Sequence, residues 1–164
     1  MTNLLEGAQA PDFTLGALDG KEHSLTSLLK HGPAVVAFFK VSCPVCQFTL
    51  PFLQRLNSRL GDSSATIVSV SQDDARDTAV FNKEFGISLL TLLDEHPYPV
   101  SNSYGLTNVP TIFLIESDRT IKVSCVGFSK GDLERIADEL TAGTNLAPLP
   151  LFRAEDRVPD YKPG

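Results

Sequence analysis

Six consecutive apolar residues, Ala34-Val35-Val36-Ala37-Phe38-Phe39, lead through Lys40-Val41-Ser42 into Cys43-Pro44-Val45-Cys46. A strand apolar at every position must be covered on both faces, which calls for a sheet with helices on either side. The period then changes. Cys46, Leu50, Leu53, Leu56 and Leu60 recur at helical spacing, and Gly61 ends the pattern. Pro44 falls in the first turn, where its missing N–H costs no intrahelical bond, whereas Pro51 lies inside and predicts a kink. Two thiols three apart at a helix start share one face and can close a small disulfide ring. The first also sits where backbone N–H groups and the helix dipole favour a thiolate. This spacing points to a redox site.

The remaining pattern alternates strand and helix. Phe13–Leu15 and Glu22–Ser24 read as short extended pieces around a turn at Leu18-Asp19-Gly20, with a short helix over Leu25–Leu29 that stops at Gly32. Thr66–Ser71 is rich in β-branched residues and predicts a second buried strand. Asp73 or Asp74 can cap a helix that shows Phe81 and Phe85 and ends at Gly86. Leu89–Leu93 predicts another short strand, followed by loop around Pro97 and Pro99. Thr111–Ile115 and Ile121–Val126 read as a hairpin about Ser117-Asp118-Arg119. Ser129 with Asp132 has the form of a capping box for a last helix carrying Leu133, Ile136, Ala137 and Leu140 and closed by Gly143. The order is βαβαβ followed by ββα. Residues 1–144 then form one domain, and 145–164, with Pro148, Pro150, Pro159 and Pro163 and no periodicity, form a draped or mobile tail.

At 164 residues, 42% hydrophobic and 21% charged, the chain has the makings of one soluble globular domain. A net charge of −6 argues against nucleic acid or an anionic membrane as partner. No apolar run approaches the roughly 18 residues of a membrane span. The first residues, Met1-Thr2-Asn3-Leu4-Leu5-Glu6-Gly7, lack a basic region followed by an apolar core, so a cytoplasmic location is expected. There a CxxC is more often catalytic or metal-binding than structural.

Beside a βαβ pattern, the CxxC is that of a thioredoxin-like redox motif. Gly7-Ala8-Gln9-Ala10-Pro11-Asp12-Phe13-Thr14-Leu15, Asp19-Gly20-Lys21, Ser24-Leu25, the strand ending in Phe38-Phe39, Pro51 five residues after the second cysteine, and Val109-Pro110-Thr111 leading into Ile112-Phe113-Leu114-Ile115 go further. Together they resemble the redoxin, alkyl-hydroperoxide-reductase (AhpC/TSA) and TlpA-like branch of the thioredoxin superfamily over residues 7–141. The resemblance implies an α/β, three-layer thioredoxin-like fold with a central mixed β-sheet flanked by helices. It also implies that Cys43 is the exposed nucleophile and Cys46 the resolving thiol, with Pro44 and Val45 between them. Val109 and a cis Pro110 would face the pair, leaving a backbone edge open for an extended substrate segment.

The chain departs from that pattern at three places. Ser42 stands where tryptophan is usual, Ala37 where thioredoxins bury an acid, and Thr49 where TlpA-like proteins often carry glutamate. No residue then replaces the proton acceptor for Cys46. Lys40, three before Cys43, is a candidate charge for lowering the Cys43 pKa, the other reading being a solvated strand-end lysine. Cys125 is expected to be a small buried hydrophobe. His23, His31 and His96 lack metal-ligand spacing and are expected at the surface, while Tyr98, Tyr104 and Phe128 should pack or line loops.

The expected function is a thiol-disulfide oxidoreductase. Its partners would be a disulfide-containing protein or a small thiol, with electrons supplied by a reductase or thiol. No organic cofactor is called for, since the disulfide itself is redox-active, and no metal, nucleic acid or membrane partner is expected; the chain should be a monomer or weak dimer. A thiol peroxidase is the alternative, but peroxiredoxins use Pro-x-x-x-Thr/Ser-x-x-Cys. Those positions here are Val36 and Lys40 for Cys43, or Phe39 and Cys43 for Cys46. A CxxC zinc module would need four ligands, and only Cys125 and three dispersed histidines remain to complete it.

Overall fold

The computed structural model describes residues 3–61, 65–142, 144–146 and 149–164. In chain order the elements are β1 (Thr14–Gly16), β2 (Glu22–Ser24), α1 (Leu25–Leu28), β3 (Ala34–Phe39), α2 (Pro44–Leu60), β4 (Thr66–Ser71), α3 (Ala75–Phe85) and β5 (Leu90–Leu93). They continue with α4 (Pro99–Ser103), β6 (Thr111–Ile115), β7 (Ile121–Val126), β8 (Phe128–Ser129), α5 (Lys130–Thr141), a 3-10 turn (Ala154–Asp156) and β9 (Tyr161–Lys162).

The main sheet has the order β5-β4-β3-β6-β7. β3 runs parallel to β4, with Val36 opposite Val68, and antiparallel to β6, with Val36 also opposite Phe113. All six β3 residues are buried, as a central two-faced strand requires. Alternate side chains feed two cores. Val35, Ala37 and Phe39 meet Leu50, Leu53 and Leu56 of α2, Phe81 of α3 and Leu133 of α5. Ala34, Val36 and Phe38 meet Leu25 and Leu28 of α1, Phe13, Val100 and Tyr104. Each large apolar side chain so buried contributes about 1.5–3 kcal/mol. The expected three-layer α/β arrangement around a mixed sheet is observed.

Strand direction gathers the functional loops at one end of this sheet. The parallel strands β3, β4 and β5 finish there, leading into Cys43, Gln72–Asp73 and Asp94. The antiparallel β6 begins there, just after Val109-Pro110. Crevices outside strand carboxyl ends are where open α/β sheets bind ligands.

Several local expectations need correction. The loop expected around Pro97 and Pro99 contains α4, because Asp94, only 1% exposed, accepts from the amides of Val100 (3.2 Å) and Ser101 (2.7 Å) and from Ser101 Oγ (2.7 Å). Asp74, rather than Asp73, caps α3. Ser129 accepts from the Asp132 amide at 3.3 Å, which is the N-cap half of the expected box. Gly143 lies outside the described residues; α5 ends with Ala142 as its C-cap. The first strand is displaced by one residue, to Thr14–Gly16.

The described part of the tail is draped over the domain. Leu151 and Phe152 are buried in the core on the α2 side, where Phe152 packs on Phe52 and Phe128 with centroids 4.9 and 5.6 Å apart. Arg55 of α2 grips Asp156 through two nitrogens at 2.7 and 3.1 Å and also donates to the Leu151 carbonyl. That ion pair holds the Asp156 carboxyl down at about 2. β9 then pairs antiparallel with β8.

Candidate active site

Cys43 is the N-cap of α2 and is half-buried. Its Sγ accepts from the Cys46 amide at 3.1 Å, and its thiol donates to the Val109 carbonyl at 3.5 Å. Its own amide donates to the Lys40 carbonyl and its carbonyl accepts from Gln47 N, so the residue is fixed on both sides. Val109-Pro110 is a cis peptide bond. The sequence-predicted residues Cys43, Cys46 and Val109 are thus brought together around one sulfur, with Pro44 exposed and Val45 half-buried on the first turn.

Cys46 sits one turn deeper with no exposed surface. Burial pushes its thiol far above the ordinary thiol range. The hydrogen bond with Cys43 and the charge of Asp73 push the same way, against a smaller lowering from the Lys40 backbone. Neither position at which the resemblance implies an acid holds one here. Ala37 is fully buried, and buried Thr49 turns its hydroxyl onto the Val45 carbonyl at 2.6 Å.

Asp73 is the acid that sequence reasoning missed. Leaving β4, it directs Oδ2 onto the Val41 amide at 2.8 Å and so braces the segment before the cysteines. The adjacent carboxylates Asp73-Asp74 were a signal, but only the fold decides which caps and which braces.

Lys40 is half-buried, and its Nζ lies over the Tyr98 ring, 5.2 Å from the centroid. It lines a cavity of about 260 Å³ with Gln72, Tyr98, Ser101, Asn108 and Val109. Gln72 donates to Ser101 Oγ at 2.9 Å, so Asp94, Ser101 and Gln72 hold one wall as a chain of hydrogen bonds. Val109 joins this cavity to the Cys43 sulfur.

Cys125 is buried in β7, its thiol pushed up by burial to about 12, which is the environment of a small apolar residue. His31 and His96 are exposed and His23 pairs with Asp19 at 2.9 Å. Tyr104 and Phe128 are fully buried, while Tyr98 lines the cavity. Among the described residues no three His, Cys, Asp or Glu side chains gather where they could hold a metal ion, and no helix is long and apolar enough to cross a membrane.

The chain is similar to several known proteins. The thiol-disulfide oxidoreductase ResA of Geobacillus thermodenitrificans is 28% identical over 136 residues, spanning 82% of this chain and 77% of its own. The thioredoxin domain of a thiol-disulfide oxidoreductase from Bacteroides vulgatus superposes with a TM-score of 0.74 at 24% identity, over 84% of this chain and 98% of that domain. Peroxidoxin BcpB from Mycobacterium tuberculosis does so equally well, with a TM-score of 0.74 at 22% identity, over 87% of this chain and all of its own. These two structures establish the thioredoxin-like fold. The AhpC/TSA family model matches residues 7–124, most of the domain including the cysteine pair and the Val109-Pro110 turn, and the chain belongs to the AhpC/TSA family.

Proposed function

We propose that the chain is a thiol-disulfide oxidoreductase whose working pair is Cys43 and Cys46. The observation that carries this reading is the split environment of the two thiols. Cys43 reaches the surface between the Cys46 amide and the Val109 carbonyl, and Cys46 is sealed behind it. A substrate R–S–S–R′ is attacked by the Cys43 thiolate, which forms Cys43–S–S–R and expels R′S⁻. The Cys46 thiol loses its proton, attacks Cys43 Sγ and releases RS⁻. Two electrons pass to the substrate; two protons complete two thiols, and the enzyme is left as the Cys43–Cys46 disulfide. A second thiol or dithiol reverses the exchange, so the cycle uses no bound organic cofactor. Burial raises the Cys46 pKa, so deprotonating this thiol costs more than deprotonating an exposed one.

Relatives named as thiol-disulfide oxidoreductases support disulfide-bearing partners in general. The peroxidase alternative is weaker, because the hydroxyl and proline of a peroxide pocket have no counterpart before either cysteine. Insulin reduction driven by dithiothreitol, together with mass mapping of a Cys43–Cys46 bond after oxidation, tests the proposal. Failure of both, or peroxide consumption that outpaces disulfide exchange, would refute it.

A further inference from the structure

We infer that the cavity beside Val109 binds one half of a small, carboxylate-bearing disulfide, and that the tail bars extended polypeptide from the same turn. This rests on the oxidoreductase reading above and names the substrate class of that site.

Charge and size come from the cavity. Lys40 is its one cationic lining residue and no carboxylate lines it, although the chain as a whole carries −6. Among the described residues Lys40 is paired with no carboxylate; its only charge partner is the face of Tyr98. A carboxylate entering here meets a half-buried ammonium in a setting where such pairs are strengthened. The volume, about 260 Å³, falls just below the roughly 300 Å³ at which drug-sized ligand pockets begin. It suits an amino-acid-sized thiol half, with its sulfur directed past Val109 to Cys43.

Exclusion comes from the tail. Gly164 is seated so close to the Asn108–Val109 segment that a Cβ on it would run into the Val109 carbonyl. Asn108 Nδ2 donates to the Gly164 carbonyl at 3.4 Å. The approach is anchored by the β8–β9 pairing, by Lys162 over the Phe48 ring (4.7 Å) and by the Arg55–Asp156 grip. A polypeptide adding itself as an extended segment needs free backbone along this turn, and Gly164 already occupies it. No described tail residue lines the cavity, so a small disulfide enters it beside Lys40 without moving the tail. The exchange is that written above: the small disulfide gains two electrons and two protons and leaves as two thiols, while Cys43 and Cys46 are oxidised.

Three disulfides of nearly equal size test the charge argument: dithiodipropionate (anionic), bis(2-hydroxyethyl) disulfide (neutral) and cystamine (cationic), with dithiothreitol as reductant. The wild-type kcat/KM should fall in that order by about tenfold or more overall, the neutral-to-anionic difference residing in KM, and Lys40→Gln should bring the three within about threefold. Equal wild-type values, or a uniform loss in Lys40→Gln that keeps the spread, would overturn the assignment; the latter would place Lys40 on the thiols instead. Absence of turnover with all three while insulin is reduced would overturn the substrate assignment; absence with insulin as well would sink the oxidoreductase reading itself. For the tail, truncation after Asp160 should raise insulin reduction relative to hydroxyethyl disulfide by about fivefold or more, a change of order 1 kcal/mol. If that chain fails to fold, Gly164→Ala, whose methyl must leave the Val109 carbonyl, should raise the same ratio. An unchanged ratio in the folded variant refutes the exclusion.

Discussion

Replacing Phe152 with alanine asks whether the tail belongs to the fold. The ring is 8% exposed and meets Phe52 and Phe128 in edge-to-face contacts, 4.9 and 5.6 Å between centroids. Truncating a buried Phe costs about 3–5 kcal/mol, and each aromatic pair accounts for about 0.5–1.5 of that. The ring lies at the margin of the core, so the low end applies, about 3 kcal/mol. For a chain of this size 1 kcal/mol lowers Tm by about 2–4 °C, so a fall of about 6–12 °C is expected. Urea titration of the reduced protein gives the free energy directly, and a thermal scan gives Tm. The control is Leu149→Ala, 63% exposed on the same segment, which should stay within about 0.5 kcal/mol. A Phe152→Ala loss no larger than that of the control would mean the segment is not packed as described, and the barrier it forms beside Val109 would lose its anchor.

Four other outcomes follow from the site. Cys46→Ser should trap a mixed disulfide between Cys43 and substrate, visible as a mass adduct, whereas Cys43→Ser should trap none; trapping in Cys43→Ser alone would reverse the two roles. Asp73→Asn keeps an acceptor for the Val41 amide but removes a charge that raises the Cys46 pKa, so in a Cys43→Ser background thiolate absorbance should appear at lower pH; a shift upward would contradict this. Folding holds the Cys46 and Cys125 thiols protonated above their unfolded pKa of about 8.5. Their contribution is therefore complete below about pH 8.5 and fades as pH rises beyond it, and Cys46→Ala/Cys125→Ala should show a flatter alkaline decline in urea midpoint than the reduced wild type. Asp94→Ala strands three buried donors and should cost more than about 2 kcal/mol; a neutral result would show that α4 does not depend on that carboxylate.

What could be read in advance was whatever periodicity or punctuation announces. Ala34–Phe39 declared a two-faced strand and Cys46 to Leu60 a helix, while the turn that meets Cys43 was implied by the family resemblance of the Val-Pro-Thr run. Two parts were hidden. α4 lies between prolines that read as loop, and it forms because a buried carboxylate, Asp94, supplies the acceptors its first amides need. The tail carries no period because it is held at separate points, Leu151 and Phe152 in the core, Asp156 on Arg55 and Tyr161–Lys162 on β8. Each depends on a partner about 30 to 100 residues away. The acid near Cys46 was hidden for a similar reason. It comes from the loop that leaves β4, not from within the cysteine helix.

Tyr104 ties the start of the chain to the wall of the cavity. Its hydroxyl donates to the Pro11 carbonyl at 2.7 Å and its carbonyl accepts from Leu4 N at 3.1 Å, while its amide closes α4 onto Val100. Amide protons at Leu4 and in α4 should therefore exchange with solvent together, as one cooperative unit, and more slowly than the short elements around them would suggest. A clip in the opening residues would then loosen a cavity wall more than 90 positions further along the chain.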